Sequence, residues 1–238
     1  MKAIAILLAG GIGSRIGTAM PKQFLTVANK PVIIHTLSAL ERNPQIDGIV
    51  VVCVKGWEQY LQTLLDQFNI QKVIGIVEGG INGHGSTKNA LFFLKDKIAE
   101  SDIVLVHDAV RPILPQQVLN DLLKTAKEHG NAVAAACCYE TLIFTEDGRS
   151  GDRDLSRDAV VRAQTPQAYC YGTLLSLYEN AERDGIDDFE YANRAMIHYG
   201  KRLYFSQGFA NNIKITKKED LPLCEALMQF SEEQLCQF

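Results

Sequence analysis

Short apolar runs recur along the chain: AIAILLA (3–9), GIVVVCV (48–54), KVIGIVE (72–78), DIVLVHD (102–108) and NAVAAACC (131–138). Each is nearly continuous rather than alternating, the pattern of strands covered on both faces. Between them, residues 31–42, 57–68, 86–99 and 115–130 place apolar side chains at helical spacing. The third of these begins at Ser86, a good N-cap type, and the fourth begins at a proline and stops at a glycine. Strand–helix alternation of this kind predicts an α/β fold with a doubly wound, mostly parallel sheet. Ligands in such folds sit beyond the carboxyl ends of the strands.

The rhythm breaks over residues 139–163. YETLIFTEDGRSGDRDLSRDAVVRA holds two short alternating runs around a polar turn, which predicts a hairpin arm leaving the main sheet. Beyond it the pattern predicts helices near 171–184 and 188–199, a strand at 202–208 and a last helix near 219–230. With no repeat, linker or low-complexity stretch, residues 1–238 read as a single domain carrying that arm.

Composition narrows the partners more than the fold. At 238 residues the chain is long enough for one large, well-buried core. A formal net charge of -4 leaves no broad basic field, so neither nucleic acid nor a membrane surface is an expected partner, and any bound anion must be held locally. The six cysteines show neither a C-x-x-C pair nor zinc spacing, which suits reduced thiols in a cytoplasmic protein. Cys137 and Cys138 are adjacent on a predicted strand and should face opposite sides of it. The first apolar run is too short to span a membrane and is followed by glycines and an arginine.

Candidate chemistry concentrates in LLAGGIGSRIGTAMPKQF (7–24). A glycine-rich turn after a first strand commonly cradles phosphate with backbone N–H groups. The Walker pattern is missing, since Ser14-Arg15 follows Gly13, and the dinucleotide pattern fails because Ile16 stands where its last glycine belongs. What remains is a bare loop followed by Arg15 and Lys22, a fork and a point charge suited to nucleotidyl transfer; a tight turn with two solvated cations is the competing reading. Asp108 ends an apolar strand, where a carboxylate is costly unless paired or metal-bound, and Arg111 stands three residues on as a ready partner. His107 beside it reads as structural, because no other histidine falls where a metal cluster would need it.

Four ordered stretches carry a family resemblance: the opening loop with PKQF (21–24) and KPVIIH (30–35), then VHDAVRP (106–112), QTPQAY (164–169) and NNIKIT (211–216). Together they resemble the cytidylyltransferases that activate 2-C-methyl-D-erythritol 4-phosphate or ribitol 5-phosphate, from residue 3 to about 222. The resemblance implies a Rossmann-like nucleotidyltransferase fold, Mg²⁺ dependence, CTP and a polyol phosphate as substrates, and a homodimer joined through the arm. It implies that Arg15, Lys22 and Lys214 hold the CTP phosphates, and that Ala9, Gly10, Gly11 and Gly13 lie against the nucleotide. Gly80 and Ser86 would read the pyrimidine; Asp108 would bind Mg²⁺ or the ribose. Arg111, Thr141, Arg157 and Thr165 would meet the acceptor, with the arm reaching into a neighbouring subunit's site.

Two segments depart from the family pattern, INGHGS (81–86) and GIDDFEYANRAM (185–196). The expected acceptor is methylerythritol phosphate, an isoprenoid precursor. The alternative is ribitol 5-phosphate, a building block of cell-wall or capsule polymers; the LLAGG opening is closer to the pentitol enzymes. Two other classes are weaker: an oxidoreductase lacks its fingerprint in register, and a non-catalytic nucleotide-binding module would have lost the cations that this chain keeps.

Overall fold

A computed structural model describes residues 1–11 and 17–237. In chain order its elements begin with strand β1 (Ala3–Ala9), a short ribbon of β2 (Thr26–Val27) and β3 (Lys30–Pro31), and helix α1 (Val32–Arg42). Then follow β4 (Gly48–Cys53), α2 (Glu58–Gln67), β5 (Val73–Glu78), α3 (Gly83–Phe93), β6 (Ile103–Asp108), α4 (Gln116–His129) and β7 (Asn131–Cys137). The remainder comprises β8 (Leu142–Phe144), β9 (Arg153–Leu155), β10 (Val161–Cys170), α5 (Tyr171–Arg183), α6 (Ala192–His198), β11 (Phe205–Gln207), α7 (Asp220–Leu227) and α8 (Glu232–Gln237).

Among the described residues the main sheet has seven strands in the order β11-β7-β10-β6-β1-β4-β5. β1 pairs in parallel with β4 and β6, and β4 with β5, as expected for strands joined by crossover helices. The sheet is mixed because β10 runs antiparallel to both β6 and β7. Successive side chains of β1 feed opposite layers. Ala3, Ala5 and Leu7 pack with α1, α2 and α4, while Ile4 and Ile6 pack with α3, α5 and α6. Both layers are closed by fully buried aliphatic side chains, each worth about 1.5–3 kcal/mol of transfer free energy. Two-sided burial explains why the strands read as continuous apolar runs.

The differences from expectation have local causes. Helix α3 starts at Gly83, not Ser86: the Asn82 side chain caps it by accepting from the Gly85 N–H at 2.8 Å, and Ser86 sits inside the first turn. The helix expected over 188–199 is confined to α6, because Glu190 takes a left-handed φ of 63° that no helix accommodates. The strand expected over 202–208 shortens to β11, an edge strand paired only with β7. The helix expected near 219–230 is realised as α7, and a further helix not expected, α8, follows it. The expected arm of 139–163 is realised as the ribbon β8–β9, separate from the main sheet, but residues from Val161 onward belong to β10 inside that sheet. At the end of β7, Cys137 is exposed and Cys138 buried, as alternation requires.

Candidate active site

The parallel strands deliver their carboxyl ends to one edge. Leu8 of β1 stands beside Asp108 of β6, so the chain leaving β1 at Ala9, Gly10 and Gly11 passes next to that carboxylate. A cleft of roughly 270 Å³ opens there. Ala9, Gly10 and Gly11 line one part of it, Gly80 and Ser86 another. Lys22, Asp108, Thr165 and Lys214 complete the set of expected residues that the fold brings together. Gly13 and Arg15 lie outside the described residues.

Glycine is required where two loops cross. A Cβ on Gly80 would lie 2.4 Å from the Gly85 carbonyl carbon, and one on Gly10 would lie 3.1 Å from Gly79 Cα. The Gly80 N–H donates to Ser86 Oγ at 3.0 Å, so the hydroxyl expected to read a base also fixes the loop in front of α3. Gly80→Ala forces backbone atoms apart and should cost about 1–3 kcal/mol, the range for overpacking. Thermal unfolding and CTP titration of that variant check this; an unchanged melting temperature would show that the loop crossing is slack.

Lys22 sits in a 3-10 turn, Lys22–Phe24, anchored by Phe24. That ring is buried and stacks on Trp57 at 5.1 Å, with Tyr60 edge-on at 5.3 Å. Pinned in this way, Lys22 reaches across the chain to donate to the Ile215 carbonyl at 3.0 Å, next to Lys214. Gln23, between them in sequence, is buried and donates to the Ala9 oxygen at 2.6 Å and the Gly11 oxygen at 3.1 Å. It ties the end of β1 to the lysine-bearing turn.

Asp108 is the electrostatic hub. Its Oδ1 lies 3.2 Å from Lys214 Nζ, its Oδ2 lies 3.0 Å from Arg111 Nε, and the Thr165 hydroxyl donates to Oδ2 at 3.3 Å. Burial works to raise its pKa, but Lys214 and Arg111 outweigh it and hold the carboxyl below the usual range. His107 is the opposite case: burial pushes it down to about 4, so it is neutral at pH 7, and its Nε2 lies 3.1 Å from the Arg111 oxygen. Arg111 does not line the cleft; its Nη1 donates to the Asn212 oxygen at 2.7 Å, bracing the Lys214 segment. Asn212 is itself clamped, donating to Gln164 Oε1 at 3.1 Å and to the Thr165 oxygen at 2.8 Å.

Among the described residues no group of three or more His, Cys, Asp or Glu is placed to hold a metal. The Asp108 carboxylate is a hard oxygen donor that fits Mg²⁺, which is commonly held by one or two carboxylates together with substrate phosphates rather than by an all-protein cage. The arm residues stand apart. Thr141 is exposed, Arg157 donates to the Tyr139 oxygen at 3.1 Å, and neither lines the cleft of its own chain. Sequence reasoning missed Gln23, Gln164 and Asn212, whose partners are largely main-chain atoms. It also left unassigned Glu190 and Tyr191, which line the cleft.

A sheet of this topology, with glycine backbone, two lysines and the carboxylate of Asp108 meeting at its carboxyl edge, is the arrangement of a nucleotidyltransferase. The model of the 2-C-methyl-D-erythritol 4-phosphate cytidylyltransferase family matches residues 3–230, and the chain belongs to that family of CTP-dependent enzymes. The chain is 40% identical over 230 residues to a ribitol-5-phosphate cytidylyltransferase of Lacticaseibacillus paracasei, covering 96% of this chain and 98% of that one. It is 35% identical over 230 residues to a 2-C-methyl-D-erythritol 4-phosphate cytidylyltransferase of Clostridium novyi, covering 96% and 97%. Among solved structures, the 4-diphosphocytidyl-2C-methyl-D-erythritol synthase of Anaerococcus prevotii superposes with a TM-score of 0.82 at 25% identity, over 96% of this chain and 99% of that one.

Proposed function

We propose that this chain transfers CMP from CTP to ribitol 5-phosphate, releasing pyrophosphate and forming CDP-ribitol. The observation that carries the acceptor is the 40% identity, over nearly both full lengths, to a ribitol-5-phosphate cytidylyltransferase. Methylerythritol 4-phosphate is the second reading, favoured by the Clostridium novyi relative. In the reaction a phosphate oxygen of the acceptor bonds to the α-phosphorus of CTP as the bond to the bridging β-phosphate oxygen breaks. The monoester is already a competent nucleophile near neutral pH, so a dedicated general base is dispensable. Positioning and charge neutralisation do the work.

Lys22 and Lys214 sit where they can meet the triphosphate, with Arg15 as the further cation of the opening loop. Ala9, Gly10 and Gly11 leave room for the nucleoside, with Gly13 of the same loop assigned to it by sequence, and Gly80 with Ser86 offers backbone and hydroxyl to the cytosine. Asp108 would hold Mg²⁺, which when bound neutralises charge on the phosphates. Arg111 and Thr165 stand at the same carboxylate, and in a homodimer Thr141 and Arg157 of the arm would reach the partner's acceptor site. Among the described residues all six cysteines are free, as thiols are kept in a reducing compartment, which supports placing the reaction in the cytoplasm.

The test is pyrophosphate release with CTP and Mg²⁺ against ribitol 5-phosphate, methylerythritol 4-phosphate and no acceptor. Release with ribitol 5-phosphate alone is the expected result. Release with methylerythritol 4-phosphate alone selects the second reading, and silence with both overturns the function.

A further inference from the structure

Three consecutive side chains of one short turn make three separate attachments. Lys22 Nζ donates to the Ile215 oxygen, Gln23 reaches back to the chain leaving β1, and Phe24 is buried against Trp57 and Tyr60. Gln23 is buried, and its Nε2 meets the Ala9 oxygen at 2.6 Å and the Gly11 oxygen at 3.1 Å. With carbonyl oxygens on both sides, the group that faces them is the amide's NH2, and both of its hydrogens are engaged.

Neither carbonyl depends on that amide. The Ala9 oxygen also accepts from the Val54 N–H at 3.1 Å, and Gly11 is exposed to water, which can serve its oxygen. What the amide adds is placement. It grips the oxygens on either side of Gly10, and because a peptide unit is planar, fixing its oxygen fixes its N–H as well. Phe24 gives the turn a rigid base, so the loop is held to the turn and not the reverse.

We propose that Gln23 is a positioning residue that sets the spacing between the nucleotide loop at 9–11 and the Lys22 ammonium. The assignment rests on the roles proposed above for that loop and for Lys22. Both parts need such a link: Lys22 rides on a flexible four-carbon stem, and two of the three loop residues are glycine, the residue type with the widest conformational freedom. In-line transfer is sensitive to their separation, since a shift of ~1 Å at the reacting groups can lower a rate about 10²-fold.

The test is a double-mutant cycle on the full chain, read as steady-state pyrophosphate release with CTP, Mg²⁺ and whichever of the two acceptors it uses. The variants are Gln23→Met, Lys22→Ala and the pair together. Methionine keeps an unbranched side chain and removes both donors, and Gln23→Leu made in parallel repeats the removal with another shape. Melting temperatures give the folded fraction, to which kcat is normalised. The expected result is a kcat lowered about tenfold in Gln23→Met with the CTP KM held within about threefold. The double variant should then fall no more than about twofold below Lys22→Ala alone, because residues that act as a unit are not additive. Losses that multiply overturn the link and leave Gln23 a separate contact. A raised CTP KM at unchanged kcat overturns it as well, making the amide a ground-state binding group, as does a loss that only follows the folded fraction. Gln23 variants equal to the parent beside an impaired Lys22→Ala overturn the positioning role alone. An unimpaired Lys22→Ala overturns the cation reading beneath it, and silence of the unmodified chain with every acceptor overturns function and positioning together.

Discussion

Lys22→Ala is expected to lower turnover about 10²-fold or more, with a smaller rise in the CTP KM, as for the loss of a group aimed at charge that develops in the transition state. Three structural facts fix where the ammonium stands. Pro21 and the 3-10 turn present it, Phe24 locks the turn against Trp57, and its Nζ stands 3.0 Å from the Ile215 oxygen, next to the other lysine of the cleft. A carbonyl contact is one the ammonium can exchange for, or add to, a phosphate oxygen, having three donors. Negative charge increases on the departing pyrophosphate as the bond to the α-phosphorus breaks, so a cation fixed there acts more on the rate than on ground-state binding. Pre-steady-state and steady-state pyrophosphate release check this. Unchanged turnover with a raised CTP KM would make Lys22 a uniform binding group instead.

Most of the residues that carry charge in the cleft were legible before the fold was known, and those that position them were not. β1, β4, β5, β6 and β7 announced themselves because strands covered on both faces must be apolar at successive positions. β10 did not. Its VRAQTPQAYC carries polar side chains because Gln164, Thr165 and Gln167 serve the site and its clamp, so function overrides the strand signal. Helix α3 was placed three residues late, since Gly83 and Gly85 are poor helix formers and Asn82, not Ser86, caps the end. Lys22, Asp108 and Lys214 stood out as charges at a glycine loop, a strand end and a late motif. Gln23 and Asn212 bond to carbonyls whose positions exist only after folding, so nothing in local spacing reveals them. Glu190 was hidden for a related reason: a left-handed residue that is not glycine leaves no composition cue.

Replacing Asp108 by Asn should be as severe for activity as the loss of Lys22, about 10²-fold or more, and it should also mark the protein's acid stability. The carboxylate balances Lys214 at 3.2 Å and Arg111 at 3.0 Å, so the amide leaves two cations facing each other with no intervening charge. Removing one partner from such a part-buried cluster costs more than the pair contributes when intact. Its folded-state pKa lies below the unfolded value, chiefly because Lys214 and Arg111 outweigh burial. The sign follows: this group binds protons more readily when unfolded, so its stabilisation is fully present above the unfolded aspartate pKa, near 3.9, and is lost as pH falls through the folded one. Asp108→Asn should therefore unfold more readily at neutral pH, with the gap to the parent narrowing as the solution is acidified below about pH 4. Urea unfolding from pH 7 down to pH 3, read beside activity over a range of Mg²⁺ concentrations, separates two roles of one carboxylate. A stability gap that closes in acid reports its balance of Lys214 and Arg111, and activity partly restored by excess Mg²⁺ reports its hold on the cation. A gap independent of pH would show that the two cations do not depress Asp108 in solution. Full activity in the variant would remove Asp108 from the reaction altogether.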